Sequence, residues 1–177
     1  MSLKTEKKKT CADRSRSERV EKYREIASFG VCYNVQKAAR LISNFHDRLL
    51  RPLGLRSSQF ALLSYIHLLP DASLEELAQA MSLDGTTITR RLAPLKTEGW
   101  ILEKRGADRR KKEIRLSPRG EKLLKKAYPV WKSAQRHFIQ GMGRDEWRAL
   151  KRELEALNRL SESPPGAPRE NKSERSS

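Results

Sequence analysis

The most informative part of the sequence is residues 73–120, SLEELAQAMSLDGTTITRRLAPLKTEGWILEKRGADRRKKEIRLSPRG. In it, Ser73 is followed three residues later by Glu76, which is the pattern of a capping box at a helix N-terminus. Apolar residues then recur at helical spacing as far as Met81. After a short turn, the Asp84 carboxylate can cap a second helix by accepting hydrogen bonds from the free amides that follow it. Two short helices joined in this way indicate a helix-turn-helix, which places its second helix in the major groove of DNA.

The second helix of this pair has an apolar face and a polar face. Ile88, Leu92 and Leu95 recur at helical spacing, which predicts that they point into the core. The other side chains would face solvent or a DNA groove, and they are of the types that contact base edges: Thr86, Thr87, Thr89, Arg90 and Arg91. Two surface arginines alone fit a solvated face equally well, so the DNA interpretation depends on the segment that follows.

A β-hairpin with a positively charged tip is predicted after this helix. Gly99 ends the helix, and the apolar run from Trp100 begins an extended strand. A turn at residues 106–108 and four consecutive Lys or Arg residues at 109–112 come next. Apolar and charged residues then alternate over residues 113–116, as in a returning strand. A helix-turn-helix followed by such a hairpin is called a winged helix. A winged helix used only for protein contacts is disfavoured, because such a surface does not need four adjacent cations.

The charge of the chain indicates a polyanionic partner. The 177 residues carry a net charge of +16, and the pI is near 10.2, which suits nucleic acid or an anionic membrane surface. Residues 85–126 hold 14 Lys or Arg against five Asp or Glu, so more than half of the excess charge lies there. No apolar run approaches the roughly 20 residues that cross a bilayer, and no secretory signal is recognisable. We therefore expect a cytoplasmic protein that binds double-stranded DNA and no membrane.

Few residues are candidates for catalysis or metal binding. The two cysteines, Cys11 and Cys32, are too few to suggest a disulfide framework or a zinc site. His67 and His137 have no metal-ligand spacing with other donors. The sequence also contains no glycine-rich phosphate loop, nucleophile elbow or HExxH motif. We expect no enzymatic activity, no cofactor and no metal.

Helices with apolar stripes flank this region on both sides. The spacing predicts one long helix from Ile26 to about Leu50, and two more after Ser117 and Gly143. On a single chain these stripes would form a large exposed apolar patch, which soluble monomers seldom tolerate. A two-fold homodimer would bury them and set its two DNA-reading helices about 34 Å apart, which is one turn of the duplex.

The predicted fold is mostly α (α+β), a winged helix-turn-helix whose N- and C-terminal helices form a dimerisation region. Residues 1–24 hold nine Lys or Arg and four Asp or Glu, which predicts a flexible basic arm that either contacts phosphates or only aids solubility. The other predicted divisions are an N-terminal dimerisation helix at 25–56, the winged helix-turn-helix at 57–120, C-terminal dimerisation helices at 121–161 and a disordered tail at 162–177.

Three motifs occur in a specific order and spacing. The first is Pro52-Leu53-Gly54-Leu55, with Gln59 in the next helix. The second is Leu83-Asp84 leading into Thr86-Thr87-x-Thr89-Arg90, and the third is Asp108-Arg109-Arg110 followed by Ile114-x-Leu116-Ser117-x-x-Gly120. Over about residues 32–160 the chain thereby resembles the MarR family, the multiple-antibiotic-resistance regulators, which are dimeric winged-helix transcription factors.

The resemblance implies roles for residues of the hairpin. Arg110 would enter a minor groove, and Asp108 would brace the hairpin. We expect Arg109, Lys111 and Ser73 to contact phosphates. The resemblance also implies a small aromatic or anionic effector between the dimer helices and the winged helix, near Tyr33, Gln36 and Tyr65.

Cys32 is the one residue that suggests redox chemistry. It lies in the first helix, where the hydroperoxide-sensing branch of the family keeps a reactive cysteine. That branch has tyrosines four and fourteen residues later, whereas this chain has Gln36 and His46. On one helix, residues that far apart are separated by about 21 Å, so His46 would reach Cys32 only across a dimer. A buried, inert thiol is therefore favoured over a redox sensor.

These observations favour one function over two alternatives. We expect a sequence-specific transcriptional regulator, a ligand-responsive repressor that binds a pseudo-palindromic operator as a homodimer. The first alternative is a non-specific or architectural nucleic-acid-binding protein, in which the same charge acts without base readout. The second is a redox-sensing regulator that depends on Cys32.

Overall fold

The computed structural model describes residues 28–105 and 112–162, together with residues 20, 23 and 24. The elements in chain order are α1 (Val31–Leu50), a 3-10 turn (Arg51–Leu53), α2 (Ser57–Leu68), β1 (Ala72–Ser73), α3 (Leu74–Ala80), α4 (Gly85–Thr97), β2 (Ile101–Arg105), β3 (Lys112–Leu116), α5 (Pro118–Met142) and α6 (Arg144–Glu162). This mostly helical fold with one small sheet confirms the predicted class. The predicted basic arm and C-terminal tail lie almost wholly outside the described residues.

The first long helix starts later than the sequence predicts. Residues 28 and 29 are helical, but Gly30 has an extended backbone with ψ 109°, so α1 begins at Val31 and not at Ile26. Within α1, only His46 and Leu50 are buried. Its exposed large apolar side chains are Val31, Tyr33, Val35, Leu41, Ile42 and Leu49.

A tight turn joins α1 to α2. Gly54 in this turn has a φ of 70°, a left-handed conformation that glycine adopts without steric cost. The carboxylate of Asp47 on α1 then accepts a hydrogen bond of 2.6 Å from the backbone N–H of Ser57, the first residue of α2. The Leu55 side chain between them is only 2% exposed. The start of α2 is therefore fixed by both a hydrogen bond and core packing.

The helices α3 and α4 form the predicted helix-turn-helix. The turn between them includes Ser82, which has a positive φ of 50°. Ile88 and Leu95 are fully buried and Leu92 is 4% exposed, which confirms the apolar face of α4. α4 continues through Pro94 and ends at Thr97, and Gly99 then turns the chain with a φ of 68°.

The predicted hairpin is part of an antiparallel three-stranded sheet in the order β1-β3-β2. β2 and β3 pair from Ile101 opposite Leu116 to Arg105 opposite Lys112. The sequence does not predict β1, which has two residues and pairs Ala72 with Ile114. This pairing joins Ala72, the residue before the Ser73 cap of α3, to the hairpin. We call this hairpin, β2 and β3 with the residues between them, the wing.

The core lies where α2, α4 and the sheet meet the first turns of α5. Its fully buried side chains include Leu62, Leu63, Ile66, Leu77, Ile88, Leu95 and Ile114. Gly120 of α5 lies so close to the strand that a Cβ atom there would overlap the carbonyl oxygen of Trp100. The Ser117 hydroxyl donates to the Gly99 carbonyl oxygen at 2.6 Å and accepts from the Gly120 N–H at 3.0 Å. These contacts dock α5 on the end of the wing.

The chain divides into two compact units, between residues 131 and 132. In the second unit α5 continues to Met142, and Gly143 with a φ of 103° separates it from α6. α6 buries no residue within the described chain. No helix of the described residues is long and apolar enough to cross a membrane.

Candidate nucleic-acid interface

The N-terminus of α3 carries the predicted capping box. The Ser73 hydroxyl oxygen accepts from the Glu76 N–H at 3.2 Å, and the Glu76 carboxylate accepts from the Ser73 N–H at 2.7 Å. The same carboxylate also accepts from the Ser73 hydroxyl. Ser73 is 9% exposed, so a phosphate would compete with these bonds for its hydroxyl. Its predicted phosphate contact stays a prediction.

The N-terminus of α4 is capped by Asp84. Its carboxylate accepts from the N–H and the hydroxyl of Thr87, both at 2.7 Å. The hydroxyl bond, followed by the backbone bond, lowers the pKa of Asp84 below its usual value. Thr87 thus uses its hydroxyl in the cap, which leaves its methyl group for a groove.

The other predicted base-contacting residues of α4 are exposed. Thr86, Thr89, Arg90 and Arg91 all lie on the surface. The Thr89 hydroxyl donates to the Gly85 carbonyl oxygen at 2.7 Å, which fixes its rotamer one turn into the helix. α4 therefore presents a continuous polar face opposite Ile88, Leu92 and Leu95.

Ion pairs join the wing to α4. Lys96 at the end of α4 contacts the Glu103 carboxylate of β2 at 2.7 Å, and Lys112 of β3 contacts it at 3.5 Å. The hydrogen bond from Lys96, with a weaker contribution from Lys112, lowers the pKa of Glu103 against an opposing effect of partial burial. Across the hairpin, Lys104 lies 3.8 Å from Glu113. Lys104 and Lys112 of the wing therefore each lie against a carboxylate.

The predicted residues of the wing turn lie outside the described residues. These are Asp108, Arg109, Arg110 and Lys111. Their roles in bracing the wing and in contacting the minor groove and phosphates stay predictions. The strands on either side, β2 and β3, are paired up to Arg105 and Lys112.

Sequence reasoning missed one cationic residue beside α4. Arg56, which precedes α2, lines a cleft of about 470 Å³ together with Arg90 and Arg91. Arg56 is far from Arg90 and Arg91 in the sequence, so only the folded chain places all three on one cleft. The only sequence signal for this role is that a basic residue precedes Ser57, and nothing in its position relates it to Arg90 and Arg91.

A separate apolar cavity of about 610 Å³ lies between α2 and α5. Its lining residues are Phe60, Ser64, His67, Leu68, Glu121, Leu124, Lys125, Tyr128 and Trp131. The rings of Phe60 and Tyr128 stack against Trp131 with centroid distances of 6.0 and 5.9 Å. The predicted effector residues Tyr33, Gln36 and Tyr65 do not line this cavity and are exposed.

Cys32 is exposed in the chain. The prediction of a buried thiol is therefore wrong for the single chain, because α1 buries only His46 and Leu50. Gln36 donates to the Cys32 sulfur at 3.2 Å. His46 has its Nδ1 2.8 Å from the Ile42 carbonyl oxygen on the same helix, which ties its ring to its own turn. A redox role of Cys32 stays a prediction.

Comparison with known proteins identifies the family. The sequence model of the MarR family matches residues 55–112, which span α2 to the start of β3. An uncharacterised HTH-type transcriptional regulator of Bacillus subtilis, YwoH, is 29% identical over 90 residues, which make up 51% of this chain and 66% of that relative.

Solved structures of similar fold extend the match to most of the chain. The transcriptional regulator MosR of M. tuberculosis, crystallised in complex with DNA, is 34% identical with a TM-score of 0.69, and the alignment covers 75% of this chain and 96% of MosR. The apo form of MarR from E. coli has a TM-score of 0.59 at 20% identity, covering 72% and 96% of the two chains, and so shows the fold alone. This chain belongs to the MarR family of transcriptional regulators.

Proposed function

We propose that the protein is a sequence-specific, ligand-responsive repressor that binds a pseudo-palindromic operator as a homodimer. The observation that carries this proposal is that α4, which we call the recognition helix, has a buried apolar face and an exposed polar face. Its apolar side is buried to 4% exposure or less, while Thr86, Thr89, Arg90 and Arg91 are exposed. The DNA complex of MosR supports the same use of this surface, because MosR is more than 30% identical to this chain.

The recognition surface divides by chemistry into three kinds of contact. Thr86, the Thr87 methyl group, Thr89 and Arg90 suit base edges in the major groove, since threonine methyls contact thymine and arginine can bind guanine through two hydrogen bonds. Arg110 of the wing turn would enter the adjacent minor groove. Arg109 and Lys111, with Ser73 if its cap opens, would contact phosphates.

A homodimer would bury the exposed apolar side chains of α1 and α6. On α1, large apolar residues such as Phe29 just before the helix, Val31 and Leu41 are 59% to 81% exposed in the single chain. α6 is amphipathic but buries none of its residues. Covering both surfaces with a second copy removes apolar area from water, which is the main source of association free energy.

The apolar cavity between α2 and α5 is the proposed effector site. Its stacked aromatic side chains suit a planar ring. Lys125 in its lining supplies a positive charge for an anionic group, beside the acidic Glu121. It is an alternative to the site expected around Tyr33, Gln36 and Tyr65, which stays a prediction. Because α2 and the recognition helix belong to the same hydrophobic core, we propose that an occupied cavity changes the spacing of the two recognition helices and releases the operator.

Selection from a pool of random duplexes tests the DNA-binding proposal. The wild-type protein should enrich one motif with two-fold symmetry, and the addition of the matching effector should release that duplex. Arg90→Ala should enrich a motif that is degenerate at one position in each half. Enrichment of no motif by the wild type, with retention of all duplexes at low salt, would contradict the proposal and favour the architectural alternative.

A further inference from the structure

Three arginines line one cleft. Arg56 lies immediately before α2, and Arg90 and Arg91 lie on the recognition helix, with Gln59 and Pro94 between them. All three arginines are exposed. Among the described residues, no carboxylate lies within ion-pair distance of any of the three guanidinium groups. The cleft is therefore a local concentration of uncompensated positive charge.

The other cations near this surface behave differently. Lys96, Lys104 and Lys112 each contact a carboxylate of the wing. The electrostatic energy of a cluster of like charges without counter-charges is unfavourable in the unliganded protein. A bound anion makes this energy favourable. Guanidinium groups suit phosphate in particular, because their planar set of donors can bind two phosphate oxygens at once.

The backbone at Arg56 is held in place before any ligand binds. The Arg56 N–H donates to Gln59 Oε1 at 2.9 Å, and the next N–H, of Ser57, donates to Asp47 Oδ1 at 2.6 Å. Leu55 on the other side is anchored in the core. Only the Arg56 side chain has to be ordered on binding, which keeps the entropic cost of a contact low.

The position of the cleft along the recognition helix indicates which part of DNA it would meet. Thr86 lies at the start of the helix, which is the end that enters a groove deepest. Arg91 and Pro94 lie one to two turns later, and Arg56 precedes α2, which lines the same cleft. A guanidinium group that lies to the side of the N-terminal end of the recognition helix is close to the phosphates at the edge of the groove, and not to the bases.

We propose that Arg56, together with Arg91, binds a phosphodiester of the DNA backbone at the edge of the groove read by the recognition helix. This inference rests on the proposed function. It adds Arg56 to the DNA interface and moves Arg91 from base contact to phosphate contact. The contact orients the recognition helix and carries no sequence information of its own.

The test compares the salt dependence of DNA binding in three proteins: wild type, Arg56→Gln and Arg51→Gln. Arg51 is the matched control, because it is an exposed arginine in the same connection but lines a different cleft, with Asn44, Asp47 and Arg48. Binding constants are measured against salt concentration on the selected operator and on a random duplex of equal length. Melting temperatures of all three proteins check that the fold is retained.

The expected result follows from the counterions that each phosphate contact releases. Loss of one contact in each subunit of a dimer should reduce the slope of log K against log salt by about 1.8 for Arg56→Gln. The reduction should be the same on both duplexes, and Arg51→Gln should retain the wild-type slope.

Two results would overturn the inference. Either Arg56→Gln keeps the wild-type slope or changes it no more than Arg51→Gln does, or its affinity loss is confined to the operator. Failure of the proposed function is distinct, because it would be seen in the wild type as binding without sequence preference. The slope comparison would still decide the role of Arg56 on the random duplex in that case.

Discussion

The ammonium group of Lys96, in the last turn of the recognition helix, lies 2.7 Å from the carboxylate of Glu103 in the first strand of the wing. This ion pair links the two elements that are proposed to enter adjacent grooves. Lys112 of the second strand contacts the same carboxylate at 3.5 Å. Glu103 thus joins the recognition helix and both strands of the wing.

Replacing Glu103 by Gln should lower the free energy of unfolding at neutral pH by roughly 0.2–1 kcal/mol, the range for ion pairs near the surface. Lys96, and to a lesser degree Lys112, lower the pKa of Glu103 in the folded chain. The stabilisation is therefore complete above the pKa of this carboxyl in the unfolded chain, and it is lost as the pH falls through the lower folded pKa. Urea unfolding of both proteins at neutral and strongly acidic pH measures this difference.

The control for that experiment is Glu98→Gln. Glu98 lies 3.8 Å from Arg119, and more than half of each side chain is exposed, so its loss should be smaller. An equal loss in the two variants, or a difference for Glu103→Gln that persists at strongly acidic pH, would show that the Glu103 ion pair is not the cause.

Replacing Gly120 by Ala should destabilise the protein by about 1–3 kcal/mol, as expected for an added group without space. The new methyl group would overlap the Trp100 carbonyl oxygen, which belongs to the backbone and cannot rotate away. Gly141→Ala, in the same helix, is the control, because nothing lies within 4 Å of its Cβ position. Chemical denaturation should show a loss for Gly120→Ala only; equal stability of the two variants would refute the close approach of α5 to Trp100.

Replacing Ser73 by Ala should lower stability by roughly 0.5–2 kcal/mol through loss of the α3 cap. Ser73→Thr, which keeps a hydroxyl group, should retain most of the stability. DNA titrations at several salt concentrations separate the two roles assigned to Ser73. An unchanged salt slope in Ser73→Ala indicates a capping role alone, whereas a reduced slope with unchanged stability would indicate the phosphate contact.

Arg110→Ala and Arg90→Ala should weaken DNA binding in different ways. Arg110→Ala should reduce affinity for every site, with a larger loss where the minor groove is narrow. Arg90→Ala should instead lose about 1–3 kcal/mol of discrimination at a single base pair in each half-site. Competition assays with single-base operator variants give both quantities. If each variant lost as much affinity for a random duplex as for the operator, the separate roles of Arg110 in the minor groove and Arg90 in base reading would be contradicted.

The elements that sequence reasoning predicted are those with strong local signals. The spacing of Ile88, Leu92 and Leu95 is sufficient to define the inner face of the recognition helix, since a helix repeats every 3.6 residues. The capping box at Ser73 depends only on residues three apart. The wing strands follow from alternation beside Gly99 and from the turn residues. Each of these patterns is contained within one element.

The features that it missed depend on contacts between distant segments. β1 has only two residues, so it has no periodicity, and it exists because the edge of β3 offers unpaired backbone groups to Ala72. Arg56 lines the same cleft as Arg90 and Arg91 only in the folded chain. The exposure of Cys32 depends on whether a second chain covers α1, which no pattern within a single sequence reports.

The most direct test of the central claim is a hydroxyl-radical footprint of the wild-type protein on its selected operator, with the stoichiometry determined by sedimentation. Two copies that each insert a recognition helix should protect two patches of the duplex about one helical turn apart, with two protein chains on each duplex. A single protected patch with one chain bound, or uniform protection along the whole duplex, would contradict it.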